Sequence, residues 1–190
     1  MAHEEALARA WESLANLGIG EGTVRFLGEE YAIDVAARRV ASVPRGTAAD
    51  DHLAVLILHY LVRSTEGLPS PVGDWLSLSE LSIGSGFADV YVERVVGPLR
   101  GAFGPDPEQL YTLLDSVPGE RVARADAAVV LQVLDGVPML VDVYAADDEF
   151  DAEAGVLFDR SVTEVFCTED VVELAETVAA AVVERGGRAG

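Results

Sequence analysis

The stretch AAVVLQVL (127–134), DG (135–136), VPMLVDVY (137–144) decides the fold. Aliphatic and β-branched runs on either side of an Asp-Gly pair are a strong signal of a two-residue hairpin. A two-residue loop also sets the register. It predicts Leu134, Val130, Val137, Met139, Val141 and Val143 on one face, interrupted by Gln132. Val129, Leu131, Val133 and Leu140 fall on the other, with Asp142 and Tyr144 at its far end. Both faces are mostly apolar, so the hairpin is expected to be central and covered on both sides.

Outward from the hairpin, the acidic loop Ala145–Glu153 is followed by a short strand around Val156–Phe158. Thr168 then caps a terminal helix with an inward stripe of Val171, Leu174, Ala175, Val178 and Val182, ended by Gly186-Gly187. Glu169 and Asp170 in its first turn complement the helix dipole. On the N-terminal side, Asp106-Pro107 opens a helix to about Leu114. A helix from about Phe87 to Val96 is ended or kinked by Gly97-Pro98. Trp75–Leu78 reads as a strand entering a turn at Ser82–Gly86.

Residues 48–63 form a helix that is apolar nearly all round, hence interior, with one polar stripe of His52, His59 and Arg63. The loop Ser64–Asp74 separates it from Trp75. Before it come strands at Thr23–Leu27, Tyr31–Val35 and Arg39–Val43, with a turn at Gly28-Glu29-Glu30. An amphipathic helix over 4–17 carries Leu7, Trp11 and Leu14, and Gly18 ends it. Strands and helices come in blocks, which predicts an α+β fold. Its centre is a mostly antiparallel sheet containing the 127–144 hairpin, flanked by about five helices.

The chain has 190 residues, which suits a single domain over 1–190. Its 33 acidic residues stand against 13 arginines and no lysine, a formal charge of −20. Self-repulsion of that size is relieved by salt, whose screening length falls to roughly 3 Å at 1 M. A GC-rich genome accounts for arginine in place of lysine but not for the acid excess, so a salt-adapted protein is the expectation. Nucleic acid and anionic membranes are excluded as partners, because phosphate binding needs clustered Lys and Arg. A protein or small-molecule partner stays open. The longest apolar run, Leu53–Leu58, is too short to span a bilayer, and no targeting segment is visible, so a cytoplasmic location is expected. One cysteine, Cys167, permits no internal disulfide, and no iron–sulfur or zinc site is expected. Cys167 itself reads as a small buried hydrophobe.

Familiar catalytic signatures are missing; Gly84-Ser85-Gly86 is too short for a nucleotide-binding loop. The densest carboxylate group is Asp147, Asp148, Glu149, Asp151, Glu153 and Asp159, where Mg²⁺ or Ca²⁺ could bind. It departs from a calcium loop by having Gly at the ninth position and Phe158 at the twelfth. His59 and His52 lie two turns apart on one helix face, too far for joint ligation. Asp142, on a covered strand face, would need a hydrogen-bond partner or a raised pKa.

Asp148-Glu149-Phe150, Gly155 to Ser161 and Thr168-Glu169-Asp170 together resemble the C-terminal signature of a prokaryotic family, domain of unknown function 3786. Earlier matches are His59-Tyr60-Leu61, Trp75 to Leu81, Pro98-Leu99 and Phe103-Gly104, so the resemblance runs from about residue 22 to 180. It implies no particular activity. Some relatives carry or neighbour an iron–sulfur domain associated with corrinoid proteins, but this chain lacks the four cysteines, so a redox role does not carry over. The resemblance points to His59, Trp75, Glu80, Glu149 and Asp159. Two functions follow as expectations. The first is a non-catalytic binding or accessory protein, with His59, Trp75, Glu80 and Asp142 as ligand or partner candidates. The alternative is a metal-assisted enzyme using Glu149 and Asp159, with a cation activating water.

Overall fold

The computed structural model describes residues 2–81 and 87–186; the expected Ser82–Gly86 turn, Gly84-Ser85-Gly86 within it, and Gly187 lie outside these. The fold is α+β, with two antiparallel sheets rather than one. Helix α1 (Ala2–Asn16) is followed by strands β1 (Glu21–Phe26), β2 (Glu29–Asp34) and β3 (Arg39–Ser42). These three make their own sheet in the order β1-β2-β3. Helix α2 (Asp51–Ser64) comes next, then β4 (Trp75–Leu76). A continuous helical segment contains α3 (Ala88–Tyr91), a π-helical turn (Val92–Val96) and α4 (Gly97–Phe103). A 3₁₀ helix (Pro107–Asp115) leads to β5 (Gly119–Arg121), β6 (Ala127–Leu134), β7 (Val137–Tyr144) and β8 (Glu153–Asp159). Two helices close the chain, α5 (Val162–Val165) and α6 (Thr168–Gly186). The larger sheet has the order β4-β8-β7-β6-β5.

The hairpin is central, but its sidedness differs from expectation. Leu134 pairs with Val137, and then the register shifts, so that Gln132 pairs with Pro138 and Val130 with Leu140. Val133 is an extra residue, a β-bulge, and one extra residue turns every earlier side chain of β6 to the opposite face. One face therefore combines Ala127, Val129 and Leu131 with Met139, Val141 and Val143, and β8 extends it with Val156 and Phe158. All eight are buried in one hydrophobic cluster that also takes in Leu14, Leu56, Leu99 and Val178. The other face, with Ala128, Val130, Leu140 and Asp142, is buried as well.

Helix α2 is interior, with Leu56, Ile57 and Leu58 fully buried. Asp50 caps its start by accepting from the Leu53 amide, and Tyr60 Oη donates to the Asp135 carbonyl at the hairpin turn. Gly97-Pro98 does not end the helical segment, which continues to Phe103. Proline has no N–H for the Arg94 carbonyl, and the ladder there shifts to the wider spacing, with the Gly97 amide donating to Val92. The segment after Asp106 is a 3₁₀ helix rather than an α-helix. None of the described helices is long and apolar enough to cross a membrane.

The turn of the β1–β2 hairpin is Leu27-Gly28, both at positive φ (47° and 80°), and Glu29 belongs to strand β2 rather than to the turn. Leu27 is fully buried, and its amide donates to the carbonyl of the bulged Val133 over 2.8 Å. Its own carbonyl accepts from Arg185 Nη1 at 2.7 Å. The hairpin tip is thus pinned to β6 on one side and to α6 on the other.

Candidate functional site

The residues singled out from the sequence are dispersed. His59 projects from α2, and its Nδ1 lies 2.8 Å from Asp170 Oδ2 in the first turn of α6. It forms part of a ladder: His52 pairs with Glu173, and Arg63 Nε donates to the Glu164 carbonyl. The polar stripe of α2 therefore docks on the acidic side of α6 and on α5. Trp75 is half-buried and pairs with Asp159 at the sheet edge. Glu80 closes a local turn, accepting from the Ser77 amide (2.8 Å) and hydroxyl (2.7 Å), which lowers its pKa. Asp142 has the partner that its burial requires, since Arg124 Nε donates to it at 2.7 Å. Gly155, opposite Asp142, leaves room for that carboxylate, because a Cβ there would lie 2.6 Å from Oδ1.

Asp159 is almost completely buried and organises the loop before β4. It accepts from the amides of Val72 (3.1 Å), Gly73 (2.6 Å) and Ser161 (3.0 Å), and from the Ser161 hydroxyl (2.6 Å). Burial pushes its pKa up, but these hydrogen bonds outweigh burial and leave it lowered. Glu149 lies in the exposed loop at the other end of β8, a seven-residue strand. Such a strand is roughly 20 Å long. Among the described residues, no group of three His, Cys, Asp or Glu is placed to hold a metal ion. Phe150, in the same loop, is 69% exposed. Cys167 is exposed rather than buried. Its thiol lies against the first turn of α6, where local burial, and then the Asp170 carboxylate, push its pKa to about 11.

A cleft of about 960 Å³ lies between the small sheet, the β3–α2 loop and α6. Its floor is the Leu27–Glu29 tip. Glu29 stands in the inward row of β2 with Tyr31 and Ile33. Arg45, from the loop after β3, places Nε 2.8 Å and Nη2 2.6 Å from Glu29 Oε1, and its Nη2 donates to Tyr31 Oη at 3.3 Å. Ser42, itself buried, accepts from the Arg45 amide. Burial raises the pKa of Glu29, yet Ser42, Arg45 and Arg185 outweigh it and hold the carboxyl below its ordinary value. Burial, and then the charge of Glu29, raise that of Tyr31. On the opposite wall, α6 presents Glu173, Glu176, Thr177, Ala180, Ala181 and Glu184, one face at helical spacing. The π-helical turn brings Arg94 to Glu176 at 3.1 Å. Polar side chains from four segments are thus held in place around one concavity, an arrangement suited to seating a polar ligand.

The sequence reading did not identify this cleft. A signal for it existed in β2, where Glu29 occupies the same alternating row as Tyr31 and Ile33, a carboxylate where an apolar residue is expected.

Fold and site define an acidic α+β protein with a charged cleft. The family model for domain of unknown function 3786 (DUF3786) matches residues 9–181, and the chain belongs to that family. No curated protein and no solved structure matches it.

Proposed function

We propose that this chain is a non-catalytic binding or accessory protein, salt-adapted and cytoplasmic, which seats a small polar ligand in the cleft between the small sheet and α6. The observation that carries this reading is the braced set of Glu29, Arg45, Tyr31 and Arg185 on the cleft floor. Groups fixed in this way lose little further freedom when a ligand arrives. The cleft volume, about 960 Å³, lies within the range of small-ligand sites. The alternative of a metal-assisted enzyme gains no support from the geometry. The oxygens of Asp159 are occupied by four donors, and Glu149 stands at the far end of β8.

Salt adaptation is supported by the charge of −20 and by exposed carboxylates such as those of 147–149. Thermal unfolding followed by circular dichroism tests it. The midpoint should climb steeply between about 0.1 and 2 M KCl as like-charge repulsion is screened; a flat or falling midpoint contradicts salt adaptation. The binding reading is tested by native mass spectrometry of protein incubated with the small-molecule fraction of a cell extract. A stoichiometric adduct that is absent from the Glu29→Ala, Arg45→Ala double variant is expected, whereas an unliganded wild type speaks against it.

A further inference from the structure

We infer that the ligand of this cleft carries a small oxyanion head, a carboxylate or a phosphate, received between Arg45 and Arg185. The inference rests on the cleft being the ligand seat and names what the seat recognises. Three of the thirteen arginines, Arg45, Arg94 and Arg185, line this one cavity in a chain of net charge −20. Arg94 is neutralised by Glu176. On the floor the balance is different. Arg45 lies 2.6 Å and Arg185 3.9 Å from the same carboxylate, Glu29, so two positive charges face one negative charge.

Glu29 is a fixed internal counter-ion, with a side chain only 14% exposed, and it braces one edge of the Arg45 guanidinium. Nη1 of Arg45 has no partner among the described residues, and that side chain is 59% exposed. Arg185 gives Nη1 to the Leu27 carbonyl, while its Nη2 stays beyond hydrogen-bond distance of Glu29. Donors on two oriented, planar guanidiniums therefore remain available, and that geometry matches the paired oxygens of a carboxylate or phosphate. Elsewhere in the lining Glu173 pairs with His52, and Asp50 accepts from the Leu53 amide as the cap of α2. The negative field of the whole chain opposes long polyanions, whereas one short oxyanion in high salt is screened from it.

The test is an NMR titration of isotope-labelled full-length protein with malonate, inorganic phosphate and, as a cationic control, spermidine. It is run at constant ionic strength near 1 M KCl, where nonspecific surface attraction is screened. Saturable shifts of the Arg45 and Arg185 Nε–H signals and of the Leu27–Glu29 amides are expected with malonate or phosphate. Whichever responds identifies the head group. Arg45→Gln and Arg185→Gln, each checked for an unchanged far-ultraviolet spectrum, should weaken binding by about tenfold or more, the loss of one charge-assisted hydrogen bond. Should either variant fail to fold, the wild-type shifts decide. Spermidine moving these signals while both oxyanions leave them unmoved would overturn the inference and leave the cleft as the seat. Silence toward all three probes and toward the small-molecule fraction of a cell extract would sink both. Wild-type affinity in a folded Arg45→Gln variant would also contradict the inference.

Discussion

The amide of Leu27 donates to the carbonyl of Val133 across 2.8 Å, joining the turn of the small sheet to the bulge of the large one. Each element explains the other. The bulge takes Val133 out of register with β7, and the buried Leu27 delivers a donor to its carbonyl. A buried backbone group without a partner would cost about 1–3 kcal/mol. The bond also sets the height of the cleft floor, because Glu29 lies two residues further along.

Gly28 should tolerate no side chain. Its φ of 80° favours glycine, and a Cβ would lie 2.7 Å from the Ser116 carbonyl oxygen. Gly28→Ala is expected to lower stability by at least about 2 kcal/mol in chemical denaturation, combining left-handed strain with a backbone clash. An unchanged midpoint would mean that the turn is not pinned as described.

Asp159 should behave as a structural acid. Asp159→Asn replaces an acceptor of four hydrogen bonds by a group that offers donors of its own, an expected loss of about 2–3 kcal/mol at neutral pH. The folded pKa is lowered from the ordinary 3.8, so the carboxylate contributes its stability above about pH 4. That contribution disappears as pH falls through the lower folded value. The gap between wild type and variant should therefore be full at pH 7 and close progressively below pH 4. A gap that widens on acidification contradicts this role.

Cys167 should be accessible yet unreactive. Its thiol, raised to about 11, is almost entirely protonated at pH 8, and the thiolate is the nucleophile. Alkylation by iodoacetamide should be slow at pH 8 and accelerate up to about pH 11. Asp170→Asn, which removes the nearby negative charge, should speed it at pH 8. Fast alkylation of the wild type at neutral pH would rule out this environment.

Local patterns carried much of the fold. The stripe Val171, Leu174, Ala175, Val178 and Val182 is buried as its spacing predicts, and the Asp-Gly turn stands where expected. The facing of β6 was illegible because the bulge at Val133 answers to Leu27, far up the chain, and not to its neighbours. Of the candidate residues, Asp142 and Asp159 could be seen to need partners, but not that Arg124 and the Val72–Gly73 amides supply them. The cleft is not legible in the sequence because its parts come from β2, the loop at Arg45, the π-helical turn at Arg94 and α6 from Glu173 to Arg185. In a chain with 33 carboxylates a single functional acid does not stand out; the 13 arginines were the rarer and more informative charge.

The most direct test of the account is amide-shift mapping of the full-length protein against the small-molecule fraction of a cell extract, at salt sufficient to screen its surface. The account predicts saturable shifts confined to Leu27–Tyr31, the loop around Arg45 and the α6 face from Thr177 to Arg185, abolished in Glu29→Ala, Arg45→Ala. An unperturbed cleft, or shifts confined to the Asp147–Glu153 loop, would contradict it.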